Sequence, residues 1–258
     1  MISNLFLVTM HKIIFIILLS TLFLSLINAK DVVIFAHNFD TDDNSSFLTL
    51  INKLTIENQL LNDSLSNSNN NSNLNSFEYT KNIENILEEI LISEDSFIVD
   101  SDQFYNNTII ALVVANLADE VLRNYGYAFG VPSNIMLSMN FSNITGGLNY
   151  SNNMAKIALH SGHMTNQENT TSISMVDNSS YQSALKTSDR MIEIYNSELK
   201  TSSSNSAIIN KAKSDLSSTL YDLRKDIEAK ESPSKIMEDI HGRIHPNLQI
   251  TFSLTLRR

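Results

Sequence analysis

The chain has 258 residues, a formal net charge of −10, 6 Gly, 3 Pro and no cysteine. The acidity works against nucleic-acid binding, because a phosphate backbone repels a chain of its own sign. The absence of cysteine excludes disulfides, iron–sulfur clusters and thiolate-bound zinc, and the scarcity of Gly and Pro favours long helices over a turn-rich β fold.

The N-terminus carries the clearest signal. Ile13 to Ile27 (IIFIILLSTLFLSLI) is almost unbroken apolar sequence, preceded by His11 and Lys12 and followed by Asn28-Ala29. Its length of about 15 residues falls short of the roughly 20 that a bilayer-crossing helix needs. This is the layout of a secretory signal with cleavage after Ala29, so residues 1–29 are expected to direct residues 30–258 out of the cytoplasm. Met10 is a second candidate start. An uncleaved anchor, lengthened by Leu5 to Val8, is the alternative. No second long apolar run follows, so contact with a membrane is expected only through this segment.

Val32 to Ala36 (VVIFA) reads as a short strand. Ser45 to Leu61 spaces Phe47, Leu50, Ile51, Leu54, Ile56, Leu60 and Leu61 as a helix does, with Asn44 placed to cap it. Residues 62–76 include SLSNSNNNSNLNS (Ser64 to Ser76), too polar to bury much surface, and read as a loop-like linker. A second helix, Thr80 to Ile92, sets Ile83, Ile86, Leu87, Ile90 and Leu91 against Glu84, Glu88 and Glu89. The third, Thr108 to Tyr125, is apolar nearly all round and is the candidate central helix, with Gly126 where a left-handed residue would end it. Asn116, Asp119 and Glu120 interrupt it.

Residues 126–150 read as loop, and Ser151 to Ser161 as a short helix. Tyr181 to Leu199 and Ala207 to Ala229 are strongly periodic. Ser232-Pro233 then opens a helix expected to stop near His245-Pro246. Gln249 to Leu256 (QITFSLTL) alternates strictly, a strand pattern able to pair with Val32 to Ala36, with a short final helix as the alternative. The whole reads as an all-α antiparallel bundle of about six or seven helices, with short β segments at its two ends.

Histidines supply the one chemical hint. His160 and His163 are three apart, and His241 and His245 are four apart; on a helix each spacing turns two imidazoles to one face and suits a divalent transition metal. Glu120, Glu238 and Asp239 are conceivable oxygen donors, and Gly162 and Gly242 fall inside the two histidine pairs. Structural histidines at helix ends are the competing explanation. Met136 and Met139 suggest at most a soft copper contact, and Tyr181, Tyr195 and Tyr221 read as core. The N-glycosylation pattern recurs at Asn44, Asn62, Asn70, Asn106, Asn140, Asn143, Asn149, Asn169 and Asn178. No nucleotide-binding, hydrolase or EF-hand motif is present.

The stretches YQSALKTSDRMIEIYNSEL and LSSTLYDLRKDIEAKESPSKIMEDIHGRIHPNL carry a Tyr-Gln-x-Ala helix start, a long helix, a Ser-Pro step and Ile-His before a leucine. From Tyr181 to Leu248 they resemble the helical extracytoplasmic domains found near or fused to iron permeases in some prokaryotes. That resemblance implies an exported helical accessory domain with metal-related work, and draws attention to His241. Membrane helices bearing the permease glutamates are not part of the resemblance. The functional expectation is a non-catalytic exported binding or accessory protein whose partner is a protein or a metal ion. A cell-surface interaction protein held by its anchor is the alternative.

Overall fold

The computed structural model describes residues 42–66, 72–93, 98–137, 175–201 and 205–254. The N-terminal apolar segment, the strand expected at Val32 to Ala36, the short helix from Ser151, and His160 and His163 lie outside the described residues. All the regular structure described is helical, with no strand among the described residues.

In chain order the elements are α1 (Asp43–Ser66), α2 (Ser72–Ser93), a 3₁₀ turn (Ser101–Gln103), α3 (Asn107–Ala128) and α4 (Ser133–Met136). Then come α5 (Asn178–Ile194) with a π turn (Tyr195–Leu199), α6 (Ala207–Glu228), α7 (Pro233–Met237), a π segment (Glu238–Ile244) and α8 (His245–Phe252). Successive long helices alternate in direction. Glu57 meets Asn82 and Ser183, Arg190 meets Asn52, and Arg224 meets Asp189, which are antiparallel pairings.

Helix α3 is the axis of the bundle. Its side chains are buried nearly all round, from Ile109 to Ala128, and it packs most extensively on α5. Leu117, Val121, Leu122 and Tyr125 join Met191, Leu199, Leu220, Leu223 and Ile244 in one apolar core. Helices before and after residue 137 therefore share that core. Tyr125 reaches from α3 to the Glu231 carbonyl just beyond the end of α6, and Tyr181 reaches from α5 to the Ile227 and Glu228 carbonyls in its last turn. Tyr221, by contrast, is exposed and bonded to Asn196.

Several boundaries differ from the sequence expectation. Asp42, not Asn44, caps α1, through Oδ1 to the amides of Asn44 (2.8 Å) and Ser45 (3.3 Å). Helices enter the Asn/Ser stretch from both sides, α1 ending at Ser66 and α2 starting at Ser72. Helix α3 continues past Gly126 to Ala128 and is closed off by Gly130, whose φ of 69° is left-handed, with Val131 N donating to Gly126 O (2.8 Å) and Gly130 N to Tyr127 O (3.2 Å). Gly126 serves a different need: a Cβ there would sit 2.8 Å from the Val131 carbonyl oxygen and 2.6 Å from Met136 Cγ. Gly126→Ala is expected to destabilise the fold by about 2 kcal/mol, read by chemical denaturation, because a backbone carbonyl must move.

The chain also does not stop at His245-Pro246. Pro246 lacks an N–H, and its ring would collide with the carbonyl four residues back. The helix widens to π geometry over Glu238–Ile244 and carries on as α8, so the alternating Gln249–Leu256 pattern is helical through Phe252. Leu248 and Leu254 then meet the core, and tertiary packing overrides the β pattern.

Candidate functional site

The π segment is held in place by charge. Asp239, fully buried, takes Lys235 Nζ at 2.6 Å and Arg243 NH1 at 3.1 Å, while Arg243 NH2 reaches Asp222 at 2.8 Å and Lys235 reaches Asp226 at 3.0 Å. Burial pushes the Asp239 carboxyl above the usual carboxylate range even against its cationic neighbours. Asp239 is thus committed to fixing this segment on α6, and π geometry of this kind frequently accompanies functional positions.

What the π segment and the first residue of α8 present inward is the pair His241 and His245, both buried. Their rings meet edge to face with centroids 5.3 Å apart, so the expectation that the four-residue spacing brings two imidazoles together holds. The Nε2 of His241 donates to the Met136 carbonyl at 3.2 Å, and the Nε2 of His245 lies 3.3 Å from Asp119 Oδ1. The line Asp119–His245–His241–Met136 ties α3, α4 and the π segment together inside the core.

Asp119, rather than Glu120, is the carboxylate beside the histidines. One residue further round α3, Glu120 faces α1, where Lys53 (3.4 Å) and Arg123 (3.0 Å) hold it. Burial opposes the Glu120 charge, but those two cations outweigh it and keep its carboxyl below the usual range. For Asp119 burial wins over His245 and Arg123, and its pKa is raised. Among the described residues no group of three or more His, Asp or Glu side chains is placed to hold a metal ion. Gly242 is not sterically required, since a Cβ there would meet only Glu238 Cγ, at 3.8 Å.

A second polar framework was not anticipated from the sequence. Helix α1 buries Ser45, Thr49, Asn52 and Glu57 as well as Leu50, Ile56 and Leu60. Asn116 donates to Thr49 (3.1 Å) and Arg190 to Asn52 (2.7 Å), and Glu57 accepts from Asn82 (3.0 Å) and Ser183 (2.8 Å). The signal was present as Asn52 and Glu57 on the side of α1 that also carries Ile56, where apolar periodicity alone is silent.

Glu57 yields a pH prediction. Burial raises its carboxyl pKa, with the Asn82 and Ser183 hydrogen bonds only partly opposing. The folded state thus holds a proton more tightly than the unfolded one, whose carboxyl titrates near about 4.3. Stability falls as pH rises through the window from there to the raised folded value, and the penalty is complete above it. Glu57→Gln carries no such penalty. It is expected to stabilise by roughly 1 kcal/mol at pH 8 and to lose that advantage at pH 4, read from thermal midpoints at the two pH values.

The surface of the first hairpin is different in kind. Only Tyr79 and Ile86 of the described α2 side chains are buried apolar groups. Leu87 and Leu91, expected inward, are exposed, Leu91 at 69 %, together with Phe77, Ile92 and, beyond the helix, Ile98 and Val99. The reason is position: α2 packs on α1 and only slightly on α5, so one of its two apolar sides is covered. Comparison of this chain with protein-family models, curated proteins and solved structures finds no match. Among the described residues no helix is long and apolar enough to cross a membrane.

Proposed function

We propose that this chain is an exported, non-catalytic helical binding protein that acts through contact with another protein. The observation that carries the reading is the outer face of α2, where Phe77, Leu87, Leu91 and Ile92 stand exposed along an otherwise amphipathic helix. A run of large exposed apolar side chains on one helix is the mark of a helix that meets a partner. Export rests on residues 1–29, and retention of Ile13 to Ile27 as an anchor would place the same face at a cell surface. The Asp119–His245–His241 line is read as internal framework, since each of its members is buried.

A metal-associated accessory role is the second reading, favoured by the adjacency of His241 and His245 and by the likeness of Tyr181–Leu248 to permease-associated domains. It requires donors beyond the three buried groups.

The test is site-specific photocrosslinking in the cells that make the protein, with a photoreactive residue at Phe77, at Leu91 or at the control position Tyr221, which is exposed on α6. Discrete adducts from positions 77 and 91, absent from 221, are expected in the extracytoplasmic fraction. Equal adducts from all three, or none, would overturn the proposal.

A further inference from the structure

The corner between the 3₁₀ turn and α3 carries the sequence Phe104-Tyr105-Asn106-Asn107-Thr108, one of the glycosylation patterns. Asn106 sits on a turn closed by its own N–H to Gln103 O (2.9 Å), with extended backbone (φ −73°, ψ 123°). Tyr105, Asn106, Asn107 and Thr108 are all exposed. The residue two before the asparagine, Phe104, is half-buried, its ring stacked on Phe47 with centroids 6.2 Å apart.

The other described sequons are placed differently. Asn44 is buried, and its Oδ1 accepts from Asp100 N at 2.7 Å, which leaves no room for a sugar. Asn62 lies within the regular α1 helix. At Asn178 the required hydroxyl, Ser180 Oγ, is bonded to Asp177 at 2.6 Å.

We propose that Asn106 is an N-glycosylation site whose first sugar rests against Phe104. The proposal rests on the export reading. In the transfer, the Asn106 Nδ2 forms a bond to the anomeric carbon of a lipid-diphosphate-linked oligosaccharide. The bond from that carbon to the diphosphate oxygen breaks, the lipid diphosphate leaves with the electron pair, and one amide proton passes to a base of the transferring enzyme.

The chemistry suits this asparagine because it does not disturb the cap. Asn106 Oδ1 remains free to accept from Thr108 N (2.9 Å), and the remaining Nδ2–H can still reach Gln103 Oε1 (3.3 Å). An aromatic face, electron-rich at its centre, meets the C–H-bearing face of a pyranose favourably. The turn closed between Gln103 and Asn106 folds the backbone so that Phe104 and Asn106 belong to one tight turn.

The experiment translates the full chain in the presence of glycosylation-competent microsomes. One arm carries the native leader, and the other carries a proven signal fused ahead of Met1. Protease-protected chain is treated with peptide N-glycosidase in ¹⁸O-labelled water, and the sequon peptides are weighed. Labelled aspartate is expected at 106 and not at 44. Thr108→Ala, which keeps the Asn106 cap, should abolish the modification at 106, and Phe104→Ala should lower its occupancy.

A protected chain that is unmodified at 106 in the second arm overturns the proposal, as does heavy modification at 44. Occupancy at 106 that is unchanged in Phe104→Ala overturns the role of the ring. Failure of the native leader to deliver the chain, with label at 106 in the fused arm, instead contradicts the export reading and leaves the site standing.

Discussion

Replacing Asp119 with alanine is expected to lower the stability of the folded chain by about 3 kcal/mol, with a thermal midpoint lower by roughly 6–12 °C. Asp119 is buried within α3, and the Nε2 of His245 lies 3.3 Å from its Oδ1. Alanine removes the partner and leaves the imidazole in an apolar setting that water cannot repair. Asp119→Asn should cost much less at pH 8. It keeps the shape and an acceptor for His245, and it removes a charge that burial already disfavours. Thermal unfolding of both variants reads the difference, and equal loss in the two would show that the geometry at His245 contributes nothing.

Leu117→Ala is the second large effect, about 3 kcal/mol by denaturant unfolding. Leu117 is fully buried in the middle of the central helix, among side chains that are themselves buried. The matching change on α2, Leu91→Ala, should alter stability by less than about 0.5 kcal/mol, because that side chain already meets solvent. Together the pair separates a core leucine on the central helix from a surface leucine on the edge helix.

Where the sequence was legible, a periodic pattern coincided with burial. The spacing in 108–125 located the central helix, and Ser232-Pro233 located a helix start with its cap bonded to Lys235 N. The edge position of α2 left no trace in its pattern, since Leu87 and Ile86 look equally suited to a core and only the packing decides between them. Pro246 reads as a stop, because nothing local announces that a π segment will absorb it. Which carboxylate the histidines meet is decided by the face of α3 that each occupies. Glu120 is a conceivable oxygen donor by residue type, yet it and Asn116 face α1, and Asp119 faces the histidines. The spacing of His241 and His245 was readable, but their common burial depended on α4 returning Met136 to the histidine face.

Contact with a partner through α2 requires that its outer side be surface rather than packing within the chain. The most direct measurement is the thermal midpoint of the full chain carrying Leu87→Glu and Leu91→Glu together. A midpoint within about 1 °C of the parent is the predicted result, as expected of substitutions at exposed positions. A fall of several degrees would contradict it, by showing that these leucines support the fold from within.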